Sequence, residues 1–191
     1  MTDPATTPGT ERRFGWSNMF VPPEEDRRGD GGLPGERAVL LGYLRDQRLT
    51  LELKCAGLDA EALARRSVPP SDLSLLGLVR HLADVEQKWF REVMAGQDVE
   101  RHYRTAEDPG GDFEGARPDP EAVAEAWRTW RAEVAFAERL VDAVPDLATP
   151  AAWDGAPLEL REILVHLIEE YARHNGHADL LRERIDGRVG Q

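Results

Sequence analysis

One segment near the C-terminus, EEYARHNGHADLLRERIDG, carries metal-ligand residue types at helical spacing. Glu170 and His174 are four residues apart, and His177 follows three residues later. Because each residue of an α-helix advances about 100° around the axis, these three and His166 fall within an arc of roughly 80°. Imidazole and carboxylate groups suit zinc, nickel or ferrous iron, and a pair four residues apart can bind one ion. The spacing predicts a divalent-metal site centred on Glu170 and His174.

Each of these residues taken singly has a simpler interpretation. A histidine beside an apolar helix face is usually a hydrogen-bonded structural residue, and a helical glutamate is usually solvated. Three of the five histidines nevertheless lie within residues 166–177, in register with a carboxylate. His166 is the weakest member of the group, since it precedes Glu170 by a full turn. The cluster as a whole is evidence for metal binding beside the simpler interpretation.

A third ligand has to come from another part of the fold. His81, in VRHLADVE, flanks the apolar stripe of a second predicted helix, whereas His102 lies in the polar stretch ERHYR and is interpreted as a surface or lid residue. We expect His81 to complete the site. Asp84 and Glu86, about one turn further on, are candidate acceptors for the second nitrogen of a ligand imidazole.

The elements that position these residues are all helical. Apolar residues recur at intervals of three and four in four long segments, and strand-like alternation is absent. The predicted apolar stripes are Val39, Leu40, Tyr43, Leu44, Leu51 and Leu53 in the first segment; Leu75, Leu78, Leu82, Val85, Trp89 and Val93 in the second; Val123, Trp127, Trp130, Val134, Ala137 and Val141 in the third; and Leu160, Leu164, Leu167, Tyr171, Ala178 and Leu181 in the fourth. The predicted helices cover residues 36–56, 71–95, 120–144 and 158–185, with a short helix at 59–66. The loop at 97–118, rich in Pro, Gly and Asp, is interpreted as a lid. The pattern predicts an all-α four-helix bundle whose long connections permit a crossover.

Composition limits the classes of function. The chain has 191 residues, 41% of them hydrophobic, which is enough for one domain, and we assign that domain to residues 35–191. Residues 1–34 are rich in Pro, Gly and charge and are predicted to form an irregular arm. Four apolar residues in this arm, Phe14, Trp16, Met19 and Phe20, are expected to clip the arm onto the domain or a second subunit by packing against it.

Charge, hydropathy and cysteine content limit the partners, the location and the role of the cysteine. A net charge of −12 argues against nucleic acid, which requires a concentrated basic surface. No apolar export signal or membrane-spanning stretch is visible, so a cytoplasmic location without membrane contact is expected. The single cysteine, Cys55, lies in an apolar run and is interpreted as buried and structural.

Two motifs together carry a family resemblance. SLLGLVRHLADVEQKWF and EEYARHNGHADLLRERIDG resemble the DinB-like four-helix-bundle family, which overlaps the mycothiol- and bacillithiol-dependent transferases, over residues 36 to the end. The resemblance implies an up-down-down-up bundle with one divalent metal, held by His81 and by Glu170 and His174. Many relatives have histidine at the position of Glu170 and glutamine at that of His177. His177 is therefore either a further ligand or a residue that faces the substrate.

The resemblance also implies a chemistry. A metal with open positions would bind a low-molecular-weight thiol and remove its proton, and the thiolate would attack a small electrophile. Zinc is the expected metal, with nickel or iron as alternatives, and mycothiol is the expected thiol. A homodimer is a further expectation from the family. Two other hypotheses about function remain: a non-catalytic metal-binding bundle with a stress-related or unassigned role, and a metal-free bundle whose histidines line a ligand pocket.

Overall fold

The computed structural model describes residues 26–29, 31–153 and 155–190. Within these residues the architecture is helical, with one small hairpin. The elements are α1 (Gly35–Cys55), α2 (Ala60–Ala64), α3 (Leu75–Glu86), a π-helical segment (Gln87–Met94), α4 (Gly111–Glu114), α5 (Pro120–Ala143), β1 (Pro150–Trp153), β2 (Ala156–Glu159) and α6 (Leu160–Asp186). The all-α DinB-like bundle predicted from the sequence is confirmed, and its four long helices are α1, α3 with its π-helical extension, α5 and α6.

Side-chain caps begin three of the helices. Asp59 accepts a hydrogen bond from the Ala62 amide at 2.8 Å, and Ser74 accepts one from Gly77. Asp119 caps α5, with Pro120 in its first turn. Such caps satisfy amide groups that have no partner inside the helix. Helix α6 begins with a capping box and ends at a glycine with φ of 79°, a left-handed conformation that favours glycine.

The core lies between α1, α3, α5 and α6. Every residue predicted for the apolar stripe of α6 is buried, namely Leu160, Leu164, Leu167, Tyr171, Ala178 and Leu181. The prediction for α1 is only partly correct, since Leu44 and Leu51 are buried but Val39 and Tyr43 are 37% and 55% exposed.

A chain of hydrogen bonds crosses this core and joins all four long helices. Arg48 of α1 donates two bonds to the carboxylate of Glu86 at the end of α3, with distances of 2.8 and 2.7 Å. Tyr171 of α6 also donates to Glu86, and Trp130 of α5 donates to the Tyr171 hydroxyl. Burial of a charged pair is tolerated when its polar atoms are satisfied in this way.

The second long helix changes its geometry after Glu86. From Gln87 to Met94 it is a π-helix, and the amide of Ala95 bonds to the carbonyl of Phe90 five residues earlier. The wider turn buries Phe90, whereas Val85 and Trp89, predicted for the apolar stripe, are only half-buried. The prediction of a regular α-helix to the end of this segment is wrong, and Trp89 is thereby available to line a cavity.

The prediction that strands are absent is also wrong. Strands β1 and β2 pair antiparallel, with Pro150 opposite Glu159 and Trp153 opposite Ala156. Gly155 has a φ of 78°, as a tight connection requires. The hairpin brings the Trp153 ring to 5.1 Å from the Trp89 ring.

The N-terminal arm is described only from residue 26. Arg28 there donates to the Thr50 hydroxyl of α1, and the Gly29 amide bonds to Asp46. The expected clip formed by Phe14, Trp16, Met19 and Phe20 lies outside the described residues. In the part of the chain that the structure covers, no helix has the length and apolar character to cross a membrane.

Candidate metal centre

The donor atoms of His81, Glu170 and His174 lie within 4.8 Å of one another. His81 comes from α3 and the other two from successive turns of α6, so the packing of these two helices forms the cluster. The side chains are 14%, 24% and 12% exposed, respectively. The structure thus brings together the three residues that the sequence analysis selected as the central ligands.

Both histidines of this triad present the same nitrogen to it. Nδ1 of His81 lies 2.8 Å from Oδ2 of Asp112, which leaves its Nε2 for the triad. Nε2 of His174 lies 3.5 Å from Oε2 of Glu170, and its Nδ1 lies 3.3 Å from Nδ1 of His177. The two imidazole rings are tilted against each other, with centroids 4.6 Å apart. The two Nε2 atoms and a Glu170 oxygen are therefore the donors available to bind one ion.

The protonation state of His174 suits a ligand. Burial, together with the neighbouring His81 and His177, lowers its pKa to about 4. The imidazole is therefore neutral at physiological pH, with a lone pair free for a cation.

The donor set also fits a divalent ion in its chemistry. Two nitrogens and one carboxylate oxygen match the three protein ligands of open zinc sites and the set used by several other divalent metals. Donors bound to one tetrahedral ion at about 2.1 Å lie about 3.4 Å apart, so side-chain shifts of about 1 Å would bring the triad to bonding distance. Such shifts are small for a Glu and two His side chains.

The other two histidines of α6 lie at opposite edges of the triad. His177 contacts the outer nitrogen of His174 and is not one of the three converging donors. Its role as a metal ligand stays a prediction. Nε2 of His166 lies 3.7 Å from Oε1 of Glu170, and the centroids of the His166 and Trp89 rings are 4.5 Å apart.

Asp84 and Glu86 do not hold the ligand imidazole, contrary to expectation. Asp84 accepts the backbone amides of His102 and Arg104, both at 3.0 Å, and Glu86 belongs to the core network. The acceptor is Asp112, in the short helix α4 that lies within the predicted loop at 97–118. Nothing in the sequence singled it out, because it is one of several acidic residues in a loop whose spacing carries no helical periodicity.

The same loop packs on α3 beside the triad. Arg80 donates to the carbonyls of Gly111 and Asp112 and stacks over the Tyr103 ring. His102, predicted as a surface or lid residue, belongs to this loop and bonds to Glu133 of α5. Burial raises the pKa of Asp84, and the loop amides oppose this rise.

A cavity of about 840 Å³ opens at the triad. His81 and Glu170 form part of its wall, next to His166, Trp89 and Lys88 of the bundle. The loop supplies most of the remaining wall, from Glu100, Arg101, Arg104, Thr105, Ala106, Glu107 and Pro109. The Lys88 ammonium lies 4.3 Å from the centre of the Trp153 ring. A small molecule in this cavity would contact both ligand residues and the loop.

The fold and this site together define a bundle of the DinB-like class. Residues 39–187 match the family described as Mycothiol-S-transferase, and the chain belongs to that family.

Structural comparison supports the fold assignment. The crystal structure of a conserved protein from Enterococcus faecalis superposes with a TM-score of 0.52 and 17% sequence identity, over 78% of this chain and 96% of that one. No functionally curated protein matches the chain significantly.

Proposed function

We propose that the protein is a divalent-metal-dependent thiol S-transferase that activates a low-molecular-weight thiol, such as mycothiol, for attack on a small electrophile. His81, Glu170 and His174 are the proposed ligands, and zinc is the expected metal. The observation that carries the proposal is the convergence of their three donor atoms within 4.8 Å at the wall of an 840 Å³ cavity. Membership of the mycothiol-S-transferase family supplies the class of thiol.

The proposed ligand set leaves room for a substrate. A divalent ion held by three protein ligands, when bound, supplies an open Lewis-acidic position that lowers the pKa of a thiol. His81 and Glu170 face the cavity, so a thiol and an electrophile would both reach the site from that side.

The chain's own residues contribute charge and orientation. Lys88, Arg101 and Arg104 lie in the cavity wall. The wall also contains the carboxylates of Asp84, Glu100 and Glu107, so these cations favour a thiolate where they lie nearer to the sulfur than the carboxylates do. The aromatic surface of Trp89 beside His166 offers an apolar wall for the electrophile. His177 is proposed to hold the outer nitrogen of His174, since the two Nδ1 atoms are 3.3 Å apart.

A non-catalytic metal-binding bundle is the second candidate. It is favoured by the location of the proposed ligands on both α3 and α6, where an ion would fasten two core helices together.

Metal analysis and a transfer assay separate the candidates. Purified protein is expected to contain one equivalent of a divalent ion, which His81→Ala and His174→Ala lose. His102→Gln is the matched control, because this histidine lies outside the triad and glutamine can keep the hydrogen bond to Glu133. The assay then follows consumption of mycothiol with chlorodinitrobenzene or bromobimane.

Each outcome has a distinct meaning. Thiol transfer that disappears with the ion supports the enzyme. A bound ion that stabilises the fold without any transfer supports the non-catalytic bundle. A protein that binds no divalent ion at all refutes both proposals and favours a metal-free pocket.

A further inference from the structure

Asp112 is a buried carboxylate whose Oδ2 contacts a proposed metal ligand. Its side chain is 3% exposed, and Oδ2 lies 2.8 Å from Nδ1 of His81. The guanidinium Nε of Arg104 is further from the same oxygen, at 3.9 Å, and Oδ1 accepts the backbone amide of Phe113. Burial of a carboxylate is costly unless polar partners compensate for it. The direct side-chain hydrogen bond is the one to His81.

This contact determines which nitrogen of His81 carries the proton. A carboxylate accepts hydrogen bonds, so the imidazole must donate from Nδ1 and leave the lone pair on Nε2. Nε2 is then the nitrogen left available to share an ion with Glu170 and His174. The Phe113 ring, stacked on His81 with centroids 5.4 Å apart, restricts the same imidazole from its face.

The backbone of Asp112 is itself fixed to the helix that carries His81. Arg80, the residue before His81, donates from Nε to the Asp112 carbonyl at 2.9 Å and from Nη2 to the Gly111 carbonyl at 2.7 Å. Asp84, one turn later, bonds to the loop amides of His102 and Arg104. Side chains of α3 thus hold the loop at two places, and the loop in turn positions the Asp112 carboxylate against His81 of the helix.

We propose that Asp112 is a positioning residue, which fixes the tautomer and orientation of His81 for the metal and makes the loop at 97–118 part of the metal centre. This inference rests on the proposed ligand set. Ligand histidines commonly have such a carboxylate on their second nitrogen, and loss of it weakens metal binding about 10- to 100-fold.

The test is Asp112→Asn, which keeps the shape of the side chain and an oxygen for the Phe113 amide but removes the charge. Its affinity for Zn²⁺ or Co²⁺, measured by chelator competition, is expected to fall about 10- to 100-fold relative to wild type. Asp108→Asn, which removes one charge from an exposed position of the same loop, is the control and is expected to bind normally. Melting temperatures of both variants check that the fold is retained.

A second readout needs no metal. Long-range ¹H–¹⁵N spectra of the metal-free protein are expected to show the Nδ1-protonated tautomer of His81, and a mixture of tautomers in Asp112→Asn. If wild type shows the Nε2-protonated tautomer, the assignment is overturned. If wild type and Asp112→Asn bind the ion equally well, Asp112 is structural only and the proposed function is unaffected. If wild type binds no ion, the proposed function and this assignment fail together.

Discussion

The Tyr171 hydroxyl donates a 2.7 Å hydrogen bond to Oε1 of Glu86, inside the core. Tyr171 directly follows the proposed ligand Glu170 on α6, and Glu86 is the last residue of α3, the helix that carries His81. This bond therefore fixes the register between the two helices that supply the site. Burial raises the pKa of Tyr171 well above its ordinary value, and the adjacent Glu86 carboxylate raises it further, so the hydroxyl keeps its proton.

Tyr171→Phe is expected to destabilise the fold by about 1–3 kcal/mol, because Trp130 then loses its buried acceptor and Glu86 loses one donor. Arg48 still satisfies Glu86, so the variant should fold. Urea unfolding measures the change. Tyr43→Phe is the control, since that side chain is exposed, and its unfolding midpoint should not move. Equal midpoints for the two variants would show that the bond contributes little.

The sequence predicts the helix faces and the central ligands because both depend on local periodicity. The stripe of α6 and the spacing of Glu170 and His174 follow from 3.6 residues per turn. The π-helical segment is not predicted in this way, because apolar residues at intervals of three and four do not reveal backbone hydrogen bonds between residues five apart. Asp112 escapes it for another reason: its partner is 31 residues away and is brought near only by tertiary packing.

His177→Gln provides a test of whether this residue is a ligand or a partner of His174. We expect the variant to retain one equivalent of divalent ion, because glutamine can still hydrogen-bond to Nδ1 of His174. His177→Ala should also retain the ion but bind it at least about 10-fold more weakly, because the contact with Nδ1 of His174 is lost. Isothermal titration with Zn²⁺ measures both. Complete loss of the ion in His177→Gln, as in His174→Ala, would instead identify His177 as a ligand.

Gly111→Ala is expected to detach the loop from α3. A Cβ there would lie 2.3 Å from the backbone oxygen of Tyr103, which cannot move without displacing the loop. The melting temperature should fall, and limited proteolysis within residues 97–118 should become faster. Gly176→Ala is the matched control, because a Cβ in that helical position meets nothing within 4 Å. It should stabilise α6 by up to about 1 kcal/mol. Equal resistance of Gly111→Ala and Gly176→Ala to proteolysis would contradict this expectation.

Cys55 should not react in the native protein. It is buried, as predicted, and burial raises the pKa of its thiol to about 12, so almost no thiolate exists near neutral pH. Ellman's reagent at about pH 8 is expected to detect no thiol before denaturation and one afterwards. Consumption of an added thiol therefore reports on the added molecule and not on the chain's own cysteine. Rapid labelling of the native protein would contradict this, and Cys55→Ala would then be needed as the background for every transfer assay.

Glu133 should make stability depend on pH. Burial acts to raise its pKa, but hydrogen bonds from His102 and Arg91 outweigh it and hold the pKa below the ordinary 4.5. A lowered folded pKa means that the stabilisation is present above about pH 4.5 and is lost as the pH falls through the folded value. Glu133→Gln is therefore expected to cost about 1–3 kcal/mol at about pH 7 and clearly less at about pH 3, measured by urea unfolding.

The matched control for that pH dependence is Glu138→Gln on the same helix, whose side chain is 60% exposed and lies 3.9 Å from Arg48. An exposed pair at this distance contributes little, so the control should show a small effect at both pH values. A loss confined to neutral pH would show that the charge of Glu133 stabilises its contacts with His102 of the loop and Arg91 of the π-helical segment. An equal cost at both pH values would mean that the Glu133 charge does not contribute, and that only the shape of the side chain matters there.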